Sequence, residues 1–124
     1  MTDSDLTDSD LDVLVASWLT LPEVADRLSI GVSRARQLVH DRQVLAVRRG
    51  ESNALMVPEV FVQHGQVLKG LPGTLTLLAD ARHDDDAALR WLFTPDDSLP
   101  GCPVDALVQN RGTEIKRRAQ ALGF

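Results

Sequence analysis

Apolar residues in the first half of the chain recur first at helical spacing and then at strand spacing. Leu21, Val24, Ala25 and Leu28 fall on one face of a helix. Thr20 and Glu23 stand at the spacing of a capping box, and Pro22 sits in the first turn, where a missing N–H costs little. Ser29-Ile30-Gly31 interrupts the pattern. A second helix is predicted from Val32 to Asp41, with Ala35, Leu38 and Val39 inward and Arg34, Arg36, Gln37 and His40 outward. Residues 11–19 are apolar but too short to assign. They read as a first helix or as an extended lead-in, with Leu14 and Trp18 packing on the next segment of the chain.

The spacing then changes. Two β-prone runs, "VLAVRR" and "ALMV", flank Gly50-Glu51-Ser52-Asn53 and predict a hairpin. Val57-Pro58-Glu59 reads as the start of another helix, running to about His64. Lys69 to Gly73 holds two glycines and a proline and is the best candidate boundary. The remainder reads as helices. Leu75, Leu78 and Ala79 mark one. Asp84, Asp85 and Asp86 open a second before Ala88, Leu89, Leu92 and Phe93, where acids complement the helix dipole. After a Pro-rich loop, Val104, Leu107 and Val108 make a short helix. A last helix after Gly112 turns Ile115, Ala119 and Leu122 inward and Lys116, Arg117 and Arg118 outward.

The first two helices meet the demands of a helix-turn-helix. That motif joins two helices at a steep angle through three or four residues. The close approach needs a small residue, supplied by Ala25. Leu28, Ile30, Ala35 and Leu38 supply the small core at the angle. Ser29 stands where the motif commonly has Gly, and Gly31, two residues later, is the candidate to relieve the turn. The outer face of helix 32–41 would then meet the major groove. Val32, Ser33, Arg36 and Gln37 are the candidate base readers. Arginine suits guanine O6 and N7, glutamine suits adenine, and valine suits a thymine methyl. Arg34 and His40 at the flanks, and Arg48 and Arg49 at the hairpin, are the candidate phosphate contacts. The plainer reading is a helical hairpin with solvated arginines beside an ordinary β-turn. The hairpin directly after the two helices favours a winged helix-turn-helix.

Charge changes this picture only locally. The formal net charge is −5. Residues 1–12 carry five Asp and no base, while residues 20–57 carry six Arg against four acids. Phosphate affinity follows a local basic face rather than the sum. The imbalance is modest and predicts weak non-specific binding.

The stretch from Leu19 to Val62 resembles the compact winged helix-turn-helix of the MerR and excisionase type. Together with "LRWLFTP", "PVDAL" and "RRAQAL" further on, residues 18–124 resemble a family of small actinobacterial DNA-binding proteins. The resemblance implies an N-terminal winged helix, a family-specific helical C-terminal domain, and duplex DNA as the partner. "AALRWLFTPDDSLPGCPVDALV" also resembles the toxin-binding domain of Xre-type antitoxins. That likeness implies a second reading, an adaptor whose residues 71–124 bind a partner protein.

Other candidate chemistry is thin. His40, His64 and His83 lack the spacing of metal ligands. His83 beside Asp84, Asp85 and Asp86 could hold a cation, but a helix start explains the acids better. Cys102 reads as structural, and one cysteine precludes an internal disulfide. No catalytic motif or cofactor loop is visible, so neither enzyme activity, a metal nor a cofactor is expected. Trp91 and Phe93 read as core. The first ten residues repeat Thr-Asp-Ser-Asp and read as a disordered acidic tail. Thr7 and Thr2 are candidate phosphorylation sites for a Ser/Thr kinase, against a simple solubilising role. The acidic start is no secretory signal and no apolar run could span a membrane, so the expected compartment is the cytoplasm. The expected architecture is mainly α with a small β-hairpin wing. It comprises a tail over 1–10, a winged helix-turn-helix over 11–68 and a small helical domain over 71–124. The expected function is sequence-specific DNA binding in transcriptional regulation.

Overall fold

Residues 13–123 are described by a computed structural model. The lead-in before the first long helix is extended where it matters: Trp18–Thr20 is strand β1. Helix α1 comes next at Leu21–Leu28 and helix α2 at Val32–His40. Strands β2 (Val47–Arg49) and β3 (Ala54–Pro58) form the wing. A 3-10 turn at Glu59–Phe61 leads to a small hairpin of β4 (Val62–Gln63) and β5 (Gln66–Val67). Beyond it lie α3 (Leu71–Asp80), α4 (Asp85–Phe93), α5 (Pro103–Val108) and α6 (Gly112–Ala121). No helix among the described residues is long and apolar enough to cross a membrane.

The start of α1 forms as its residues dictate. Thr20 Oγ1 accepts from the Glu23 amide, and Glu23 Oε1 accepts from the Thr20 amide at 2.9 Å. These hydrogen bonds to Thr20, the backbone one foremost, hold the Glu23 carboxyl below its ordinary pKa. The turn to α2 is made by Ser29, not Gly31. Ser29 adopts φ +57°, the left-handed conformation that closes a helix end. Gly31 has φ −77°, open to any residue, and serves as the N-cap of α2. A Cβ is disfavoured in the left-handed region and glycine is not. Ser29→Gly is therefore expected to stabilise the protein by up to about 1 kcal/mol. A thermal melt would show this as a rise of a few degrees; an unchanged or lower midpoint would contradict it.

The wing belongs to a three-stranded antiparallel sheet in the order β1-β3-β2. Leu19 pairs with Val57, and both face the core. Gly50 and Asn53, both at positive φ, make the hairpin turn. The helix predicted over Val57 to His64 is absent. Pro58 ends β3, and the Glu59 amide is drawn to the Ser17 carbonyl at 3.0 Å, leaving a single 3-10 turn. His64 (φ +51°) and Gly65 (φ +75°) then make a two-residue turn between β4 and β5. Two consecutive left-handed residues suit a tight hairpin and stop a helix.

The core is continuous across both halves of the chain. Val24, Ala35 and Val57 are fully buried in the first half, as are Leu75, Leu89 and Ile115 in the second. Phe61 and Phe93 meet across the join with ring centroids 5.8 Å apart. Gly70, at φ +87°, is the N-cap of α3, and Leu107 Cδ2 would lie 3.1 Å from a Cβ placed there. The segment Lys69–Gly73 thus contains a helix start. Asp84 caps α4 through the Ala87 amide at 2.8 Å. The last helix departs from its expected faces at two residues. Leu122 lies beyond the last turn as the C-cap and is 40% exposed, not inward. Arg118 is half-buried, not outward: it reaches Glu114 at 2.9 Å and Ser98 Oγ at 2.9 Å. Hydrogen bonds from Arg111 and then Arg118 hold the Glu114 carboxyl below its ordinary value. The Ser98 side chain and amide do the same for Asp96. Burial foremost pushes the Cys102 thiol up, away from the reactive thiolate form.

Candidate nucleic-acid interface

Helix α2 is pinned along one stripe. Ala35 is fully buried against α1, with Leu38 and Val39 half-buried beside it. At 3.6 residues per turn the opposite stripe must face outward. Ser33, Arg34, Arg36, Gln37 and His40 are exposed, and Val32 is 38% exposed. Thus the six residues singled out on this helix share one open surface. No acid within the described residues pairs with Arg34 or Arg36. Arg27, Arg42, Arg90, Arg111 and Arg118 all form ion pairs. Gln37 is partly engaged: its Nε2 donates to Asp41 Oδ1 at 2.9 Å, one helical turn on.

The wing brings its own arginine to the same surface. Arg48 pairs with Leu55 and Arg49 with Ala54, so the two side chains leave opposite faces of β2. Arg48 is exposed, and its Nη1 donates to the Asn53 carbonyl at 3.0 Å. That bond ties the guanidinium to the wing turn while leaving other N–H groups outward. Arg36 and Arg48 line one cleft of about 290 Å³, completed by Thr20, Pro22, Ser52 and Asn53. Arg49 goes the other way. Its guanidinium carbon lies 4.5 Å from the centroid of Trp18, a cation–π contact. Arg49 is therefore half-buried on the far face of the sheet and away from this cleft.

Sequence reasoning did not find the residues that complete the cleft. Thr20 and Pro22 carry a helix-cap signal, and Ser52 and Asn53 carry a turn signal. Neither signal says that cap and turn lie beside Arg36. The three acids after His83 do not converge on one point: Asp84 caps α4, Asp85 pairs with Arg42, and Asp86 pairs with Arg90. Thr2 and Thr7 lie outside the described residues.

Known proteins place this architecture. Residues 7–62 match the family model described as the wHTH domain of DNA-binding protein Rv2175c. Residues 68–123 match the model of the Rv2175c C-terminal domain of unknown function. The chain is 40% identical over 117 residues to the DNA-binding protein Rv2175c of Mycobacterium tuberculosis, covering 84% of this chain and 79% of that protein. The NMR structure of Rv2175c superposes with a TM-score of 0.77 at 39% identity, over 87% of this chain and 82% of that one. With both matched domains in sequence order and the fold shared, the chain belongs to the Rv2175c family, a winged helix-turn-helix joined to a helical C-terminal domain.

Proposed function

We propose that this protein binds duplex DNA sequence-specifically, without catalysis, as a transcriptional regulator. The observation that carries the reading is the shared surface of α2 and the wing, where Arg36 and Arg48 line one cleft. The name of the M. tuberculosis relative, a DNA-binding protein, points the same way. In this reading α2 lies in the major groove. Val32, Ser33 and Arg36 meet base edges, with Gln37 reading beside them. Arg34, His40 and Arg48 meet phosphates. Arg49 serves from behind, bracing β2 to β1 across β3 through Trp18. Residues 11–68 form the binding unit and residues 71–124 the second domain, with the tail before them. A chromosomal ligand puts the protein in the cytoplasm.

The surface has few cations, so its non-specific affinity is weak and strongly salt-dependent. Selection of bound sequences from a random duplex pool, repeated at two salt concentrations, tests the reading. One enriched motif at both salts is the expected result. Retention of duplexes without enrichment, vanishing at the higher salt, would leave only charge attraction and refute specific recognition.

A further inference from the structure

The exit of α2 is where the C-terminal helices take hold of the base-reading element. After the Asp41 C-cap, Arg42 adopts φ +57°. Its amide donates to the Val39 carbonyl at 3.1 Å, and the Gln43 amide donates to the Leu38 carbonyl at 2.9 Å. This closure turns the chain sharply. Arg42 Nη1 then reaches Asp85 Oδ1 at 2.7 Å, across 43 residues of sequence. Asp85 is the first residue of α4. The other two guanidinium nitrogens, Nε and Nη2, are closed off from solvent with no hydrogen-bond partner among the described residues. One carboxylate therefore balances this cation. The ion pairs of Arg27 with Glu59, Arg90 with Asp86, Arg111 with Glu114, and Arg118 with Glu114 and Asp96 each stay within one half of the chain. The Arg42–Asp85 pair joins the two halves.

We infer that Arg42 and Asp85 are a positioning pair: the C-terminal domain holds the end of α2 through them and so sets how the base-reading end meets the groove. This gives the second domain a part in recognition without touching DNA, and it rests on the function proposed above. The lever is short and stiff. Nine helical residues span about 13 Å, so a small tilt at one end displaces the other by enough to misalign hydrogen bonds to base edges. Contacts to phosphates are more tolerant, since the duplex offers them at every step. The pair thus acts on the preference for the right sequence more than on affinity for DNA in general.

Charge alone predicts the opposite sign. Removing an acid beside a DNA-binding surface should tighten binding to every duplex. Both side chains are partly exposed, 37% for Arg42 and 50% for Asp85, so the pair is a modest tie. The positioning role predicts that Asp85→Ala weakens binding to the duplex enriched from the random pool by about two- to five-fold. Affinity for alternating poly(dI-dC) should stay within about two-fold, and the salt slope should not change. Arg42→Asp should do the same, and the charge-swapped double variant, Arg42→Asp with Asp85→Arg, should restore most of the selectivity ratio. Circular dichroism and melting of each full-length variant show that the fold is retained. Asp85→Asn, which keeps the size of the side chain, serves where Asp85→Ala melts early. Arg36→Ala is the internal control. If it lowers selectivity while the Asp85 variants tighten both duplexes alike, or the double variant fails to recover, the positioning role is wrong and the groove reading stands. If Arg36→Ala leaves selectivity untouched, both fall together.

Discussion

Phe61→Ala is expected to cost about 3–5 kcal/mol and to destabilise both halves of the molecule at once. Phe61 is fully buried in the turn that ends the wing, and its ring meets Phe93 from α4. The two rings are tilted at 39°, an arrangement favourable beyond the area they bury. Truncation would open a void in the middle of one core that runs from Val15 to Ala119. Domains of this size are stable by about 5–15 kcal/mol in total. The loss is therefore a large share of the stability of the fold. The two tryptophans make the claim about both halves measurable. Trp18 lies in β1 and Trp91 in α4, so replacing either with Phe leaves one reporter for one half. Denaturant curves from the two reporters should coincide, before and after Phe61→Ala, with the midpoint shifted and the slope kept. Two separate transitions would show that each half folds alone and that the shared core is only a docking contact.

The same core explains which parts of the fold are legible in the sequence. Local signals are decisive where the chain satisfies itself locally. Thr20 with Glu23 caps α1, Asp84 caps α4, and Gly50 to Asn53 turn the wing; each is a contact over three residues. Residues 57–64 go the other way. Pro58 at a helix start is a local preference, and it loses to the pairing of β3 with β1 and to the pull of Ser17 on the Glu59 amide. The His64–Gly65 turn is visible as residue types, but a helix-like apolar run on either side masks it. Strand β1 has no signal of its own, because three residues become a strand only when β3 lies beside them. The same limit governs the site. The exposed face of α2 follows from helical periodicity alone, so its six residues are legible. Arg48 and Arg49 look equivalent in sequence, and only the strand register sends one to the cleft and the other to Trp18. Arg42 and Asp85 carry no mark that they meet.

Arg36→Ala and Arg48→Ala are expected to weaken DNA binding in two different ways. Arg36 presents a planar fork of donors on the open stripe of α2, free of acids within the described residues. Such a fork matches guanine O6 and N7 together, so its loss should cost about 1–3 kcal/mol on the preferred duplex and relax preference at one base pair. Arg36→Lys should recover little, because a point charge on a flexible stem cannot make the paired contact. Arg48 sits at the wing with one N–H already spent on the Asn53 carbonyl. What remains is a fixed charge facing outward, suited to a phosphate and blind to sequence. Arg48→Ala should weaken all duplexes alike and lower the salt slope by about 0.9 for one lost phosphate contact, and Arg48→Lys should restore most of it. Binding isotherms on the preferred and a scrambled duplex, each over a range of salt, separate the two. A uniform loss for Arg36→Ala, or a sequence-dependent loss for Arg48→Ala, would exchange their roles. It would then be the wing, and not α2, that reads the bases.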